Sequence, residues 1–192
     1  MKFFLIIGGT GVMGTSAIRA IHKHFDQNIM IIANWYGKEI PEFQIEGVDH
    51  TIFGDINSPN CREQIKSFNN GKFDYMFYAT ALGDVGIPIK DATQEQIDRS
   101  NKLSFDPILQ LENELDIGTT VAYSTFYTIR HQLSTYGAMG HSKENIEKWT
   151  VESGGASNHA CIRAGLFESA SSRGIKLLLR KTSKNLDNLK DP

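Results

Sequence analysis

FFLIIGGTGVMG, residues 3–14, is a short apolar run that breaks into glycines and then resumes with helical spacing. The run at 3–7 has the length and uniform apolarity of a buried parallel strand. Beyond it, Met13, Ala17, Ile21 and Phe25 recur every four residues and form one stripe of an amphipathic helix. Between the two, Gly8 can make the tight turn, and Gly11 removes the Cβ that would hold a ligand's phosphates away from the backbone. Gly14 lets the helix lie close against the strand. The helix N-terminus then offers free N–H groups and the positive end of its dipole to a pyrophosphate. Three glycines alone would mark only a tight turn. Set between a strand and a helix, residues 8–14 read as a dinucleotide site, with Thr10, Val12 and Met13 supplying the rest of its backbone.

The same alternation continues along the chain. Apolar runs at 3–7, 29–33, 50–54, 73–79, 119–123 and 159–163 predict strands, and helical patterns are placed at about 58–68, 93–114, 137–152 and 172–181. Right-handed crossovers then give strand order 3-2-1-4-5-6 in an α/β, Rossmann-type doubly wound parallel sheet with three layers, α/β/α, and about six strands. One dinucleotide-binding domain over 1–182 and a polar tail over 183–192 account for the chain.

Composition narrows the partners. A formal net charge of -2 argues against a nucleic-acid surface, and no run approaches the ~18 apolar residues of a membrane span. Cys61 and Cys161 stand in no ligand spacing, which suits a reduced, cytoplasmic compartment. The six histidines fall in no metal-binding spacing, so no metal is expected. No serine sits in a GxSxG elbow, which excludes that hydrolase pattern.

Further positions converge on the carboxyl ends of the strands. Asp55 and the backbone of Ile56, after strand three, can address an adenine edge, or Asp55 can cap the helix that begins near Ser58. Asn34 stands at the end of strand two, where a ribose partner is expected, and Lys38 nearby can meet a 2′-phosphate. NAD and NADP therefore both remain open. Ala79, ending strand four, completes the cofactor-binding set.

Tyr136 and Lys143 are seven residues apart in TYGAMGHSKENIEKW, nearly two turns at about 3.6 residues each, which would put both on one helix face. A nearby ammonium or ribose hydroxyl makes a phenol a better proton donor, and the pair points to reduction beside a nicotinamide. An exposed lysine and a tyrosine packed at a helix end are the plainer reading. Thr125, after strand five, can hydrogen-bond a substrate carbonyl or bond to backbone at the strand end.

The sequence here resembles the short-chain dehydrogenase/reductase family, and within it the enoyl-acyl-carrier-protein reductase branch. Ordinary members carry Tyr four residues before Lys, where this chain has Met139. The enoyl reductases carry Tyr, Met and Lys at the spacing of Tyr136, Met139 and Lys143, with a small residue at Gly140. AGLFESASSRGIK (164–176) is similar to that branch's substrate loop, and Ser104 matches its serine in the helix after strand four. The resemblance implies that Tyr136 protonates or stabilises an enolate oxygen and that Lys143 holds the nicotinamide ribose. It also gives Phe126 a place over the nicotinamide, where a core aromatic is the other reading.

Three features depart from the family pattern: a GxxGxxG turn, YATALG after strand four, and no counterpart of the usual last strand and helix. The expected function is an NAD(P)(H)-dependent reductase of an enoyl or carbonyl small molecule, an acyl thioester among the candidates. The alternative is a catalytically silent NAD(P)-binding sensor. The family implies a homo-oligomer paired through the helices at 93–114 and 137–152, where Ile146 and Trp149 either supply apolar contact or are buried against this subunit's own sheet.

Overall fold

In the computed structural model, residues 1–25, 28–40, 42–128, 130–152 and 158–165 are described. Six parallel strands form one sheet in the order β3-β2-β1-β4-β5-β6. They are β1 (Lys2–Ile7), β2 (Ile29–Trp35), β3 (His50–Phe53), β4 (Lys72–Tyr78), β5 (Asp116–Thr125) and β6 (Asn158–Ala164). The helices are α1 (Val12–His24), α2 (Pro59–Ser67), α3 (Gln94–Ser104), α4 (Asp106–Glu114), α5 (Arg130–Leu133) and α6 (Gly137–Glu152). The expected strand order and three-layer architecture are those of the structure. The helix expected at 172–181, the part of the 164–176 resemblance beyond residue 165 and the tail at 183–192 lie outside the described residues.

The central strand shows why the sheet needs cover on both sides. Successive side chains of β1 point to opposite faces: Phe4 and Ile6 join α1 residues Ala17, Ile18 and Ile21 in one core, while Leu5 and Ile7 belong to the other. That second core also takes Ile65 of α2, Ile108 and Leu111 of α4, and Ile146 and Trp149 of α6. Ile146 is only 1% exposed and Trp149 9%, so the residues expected at a subunit interface are instead buried against this chain's own sheet.

The single helix expected over 93–114 is two helices. Phe105, at φ -136, breaks the run because Pro107 has no N–H to continue the ladder and sits in the first turn of α4. A proline at 107 leaves the Leu103 carbonyl without its helical donor, and the hydroxyl of buried Tyr78 at the end of β4 donates to it. Thr93 opens α3 with a capping box closed by Gln96. No helix among the described residues is long and apolar enough to cross a membrane.

Candidate functional site

The glycine turn sits where β1 leaves the middle of the sheet. Gly8 has φ +82, a conformation costly for any side chain, and a Cβ there would lie 3.1 Å from the Ala79 carbonyl. The N–H groups of Gly8 and Gly9 both donate to the Asn34 carbonyl at 3.1 and 2.9 Å, which ties the turn to β2. Gly14 is the most constrained glycine of the turn, because a Cβ would come within 2.3 Å of the Gly8 oxygen. Gly11 differs: the nearest atom to its hypothetical Cβ is 3.4 Å away, and Thr10, Gly11 and Val12 are all exposed. No side chain caps α1 and no acid occupies its first turn. The turn is thus closed at Gly8 and Gly14 by protein and open at Gly11 toward solvent, with an uncapped helix N-terminus beside it. This arrangement fits a pyrophosphate, which would take the free N–H groups of the first turn, Val12 and Met13 included.

Two flanking positions are engaged with the protein itself. Strand β2 runs on to Trp35, so Asn34 lies inside it rather than at its end. Its side chain is buried and its Nδ2 donates to the Gly54 carbonyl at 3.0 Å and toward Cys61 Sγ at 3.3 Å. Asn34 therefore fixes the turn through its backbone and the β3 end through its amide, and does not face a ribose. Tyr36, Gly37 and Lys38 are the exposed residues that follow β2. Asp55 Oδ1 accepts the Asn57 N–H at 2.9 Å, making an Asx turn that leads into α2. Ile56 is 3% exposed, and its carbonyl accepts from Arg62 Nη1 at 3.2 Å. Ala79 N–H donates to the Ile7 carbonyl at 2.8 Å and continues the β1–β4 ladder beside the turn.

Where the chain passes from α5 into α6, the expected Tyr136–Lys143 pair has a different geometry. Helix α6 begins at Gly137, whose φ of +51 turns the chain, so Tyr136 lies outside the helix and the shared-face argument does not apply. A Cβ at Gly137 would meet the Asp84 oxygen at 2.2 Å, which explains why glycine occupies this entry. Burial alone pushes the Tyr136 phenol up to about 12, so among the described residues no cation offsets that rise. Lys143, 6% exposed, donates from Nζ to the Tyr123 carbonyl on β5 at 2.8 Å, and burial pulls its amine down to about 8.

This burial has a measurable consequence. Lys143 binds its proton less tightly in the folded chain, near pH 8, than at the ordinary value of 10.5, so the unfolded state holds more protons between the two. The cost of a buried ammonium, ~3 kcal/mol, is in full force below pH 8 and is relieved as pH rises through that window. Denaturant unfolding between pH 7 and 10 should show wild type gaining on Lys143→Met by up to ~1.4 kcal/mol per pH unit above pH 8. Parallel curves would refute the buried geometry.

The two hydroxyls that end strand five, Ser124 and Thr125, are both occupied. Ser124 Oγ donates to Glu147 Oε1 at 2.6 Å, and Thr125 Oγ1 donates to the Ala164 carbonyl at 2.9 Å while accepting from Gln132 Nε2 at 3.2 Å. Thr125 therefore plays the strand-end role in this structure. Burial works against the Glu147 carboxylate, but hydrogen bonds from Arg163 and Ser124 outweigh it and hold its carboxyl below the usual range. Ser104, matched above to a family serine, both accepts from the Leu82 N–H at 2.9 Å and donates to the Leu82 carbonyl at 2.8 Å. It fixes the segment after β4. That segment also packs on α6, where Gly140 leaves room for Ile89. Phe126 and Leu133, both 47% exposed, and Leu82, 54% exposed, leave apolar surface beyond the ends of β4 and β5. Sequence patterning missed Glu147 and Gln132, whose partners lie on distant elements. Among the described residues no group of three His, Cys, Asp or Glu could hold a metal ion.

The fold has many solved counterparts. A short-chain dehydrogenase/reductase from Saccharomyces cerevisiae superposes with TM-score 0.68 at 16% identity, over 96% of this chain and 83% of that one. A short-chain dehydrogenase from Shigella flexneri, complexed with NADP, gives 0.69 at 17% identity over 91% and 81% of the two chains. One from Escherichia coli, complexed with NADPH, gives 0.69 at 16% over 91% and 80%. No family model matches the sequence, and no curated protein matches it.

Proposed function

We propose that this chain is an NAD(P)H-dependent oxidoreductase of the short-chain dehydrogenase/reductase type that reduces an enoyl or carbonyl group on a small molecule. The observation that carries the reading is the turn itself: Gly14 can be nothing larger, Gly11 opens to solvent, and α1 has no side-chain cap. Structural neighbours crystallised with NADP and NADPH support a nicotinamide dinucleotide as the occupant. When bound, the reduced nicotinamide supplies a hydride. Tyr136 Oη, still protonated because burial holds its phenol near 12, supplies the proton to the substrate oxygen. Lys143 anchors the β5 end through the Tyr123 carbonyl, and its ammonium would hold the nicotinamide ribose when the cofactor binds. The exposed Tyr36 to Lys38 stretch is where NAD would be told from NADP.

A second reading, a catalytically silent NAD(P)-binding sensor, draws on the engagement of both Ser124 and Thr125 with the protein. Subunit pairing through α4 and α6 would use exposed Leu109 and Val151 rather than Ile146 and Trp149.

Nicotinamide fluorescence and absorbance separate the readings. NADPH or NADH should bind, and crotonyl thioesters or simple ketones should then oxidise the bound nucleotide. Binding without turnover across both substrate classes favours the sensor, and absence of binding overturns both.

A further inference from the structure

We infer that Gln132 is a specificity-determining residue that accepts a hydrogen bond from a hydroxyl or N–H donor carried by the substrate close to its reacting carbonyl. The observation is an imbalance in one carboxamide. Gln132 Nε2 donates to Thr125 Oγ1 at 3.2 Å. Its Oε1 is fully buried and has no hydrogen-bond partner, and among the described residues it is the one side-chain atom in that condition. Buried acceptors are ordinarily satisfied, because an unpaired one forfeits its solvation with nothing in return. A lone exception therefore points to a donor that arrives from outside.

The placement says which outside molecule. Gln132 lies between the end of β5 and the turn that carries Tyr136. The Tyr136 N–H donates to the Gln132 carbonyl at 2.8 Å, and the Thr135 N–H does so at 3.1 Å. The side chain reaches Thr125, and the backbone turn joins Gln132 to Tyr136, the residue proposed to donate the proton. A molecule whose carbonyl oxygen meets Tyr136 Oη would present neighbouring substituents to this carboxamide. Helix α5 is four residues long with Leu133 exposed, so a small displacement of one turn admits the ligand to Oε1. The amide is held in register by Thr125, whose own proton is committed to the Ala164 carbonyl. Gln132 Oε1 can therefore accept from a ligand without breaking a protein bond. An α-hydroxy ketone or α-amido carbonyl has the required donor; an alkyl ketone does not. A site built around an acceptor rejects the analogue that lacks the donor, because the acceptor then stays unpaired in the complex.

The inference rests on the reading of this crevice as a reductase site, so its test includes binding as well as turnover. The probes are 2-hydroxycyclohexanone and 2-methylcyclohexanone, which differ by one hydroxyl in place of one methyl. Calorimetry on the NADP-loaded protein and initial rates of NADPH oxidation are measured with each. Wild type should prefer the hydroxy ketone by about 10-fold or more in Kd and in kcat/KM. In Gln132→Met the preference should fall to about one, with an unfolding midpoint at or above that of wild type, since the orphaned acceptor is gone. Gln132→Glu, which keeps an acceptor, should restore the preference. Equal preference in wild type and Gln132→Met overturns the inference, as does a lowered midpoint with unchanged discrimination, which marks a structural role. Failure of both ketones to bind a protein that binds NADP also overturns it while leaving the reductase reading in place. Ketone discrimination without NADPH oxidation does the reverse.

Discussion

Gly14→Ala should lower the unfolding midpoint by on the order of 10 °C and remove measurable NADPH binding. The added methyl would lie 2.3 Å from the Gly8 carbonyl oxygen and 2.8 Å from the Gly9 Cα, both backbone atoms with no rotamer to yield. Relief requires α1 to move away from the turn. That motion would unseat Ala17, Ile18 and Ile21 from the core they share with Phe4 and Ile6. Overpacking of this kind costs about 3 kcal/mol when backbone must shift. Gly11→Ala supplies the contrast. Its methyl meets nothing closer than 3.4 Å, so the fold should lose no more than about 1 kcal/mol as an N-cap glycine becomes alanine. The methyl nevertheless occupies the space through which phosphates would approach, so affinity should fall while the midpoint holds. Thermal unfolding and NADPH fluorescence on the two variants distinguish a glycine required by packing from one required by a ligand. A Gly11→Ala protein that binds as tightly as wild type would remove the pyrophosphate from this turn.

Tyr136→Phe is the second large effect. Under the proposed reduction, kcat/KM should fall on the order of 10²- to 10⁴-fold, the range associated with losing a positioned proton donor. Nicotinamide binding should change little, because the hydrogen bonds that hold the glycine turn run among Gly8, Gly9, Gly11 and Asn34 and none involves the phenol. The pH profile adds a second readout. Burial holds the phenol near 12 rather than 10, so wild-type activity should not decline through the ordinary tyrosine range. A decline centred near 10 would mean that Tyr136 is solvated in the working protein. An unchanged rate in the phenylalanine variant would pass the proton-donor role to another group.

The sheet was legible because its determinants are local. Each strand announces itself as a short apolar run, the glycine turn fixes the first βα unit, and right-handed crossovers leave one economical order. Two breaks carried local signals that the expected helices passed over, each from a residue acting on its own neighbours. Pro107 is such a signal for the break at Phe105, since a proline ends the helix before it. Gly137 is another: a glycine directly after Tyr136 is compatible with a left-handed entry, which takes the tyrosine off the α6 face. The side-chain partnerships at the site were not legible. Ser124 with Glu147 is 23 positions apart and Lys143 with the Tyr123 carbonyl 20, and neither pairing follows from spacing along one element. Asn34 shows the same limit at closer range. Its position beside the crevice was readable, but whether its amide turned outward to a ribose or inward to Gly54 depended on how β3 came to lie next to it.

That inward turn constrains redesign. A protein engineer seeking to retune nucleotide preference would ordinarily try a carboxylate on the second strand, and Asn34→Asp is the conservative choice. Here the exchange would aim two oxygens at the Gly54 carbonyl and the Cys61 sulfur, groups now receiving N–H donors. The resulting repulsion would reach the glycine turn, because the same residue's carbonyl receives both Gly8 and Gly9. Asn34 is thus a mechanical joint between two strands and a loop. Engineering of preference has to begin downstream, at residues 36–38, where Tyr36 touches the scaffold only through the Phe53 ring and Lys38 stands in solvent.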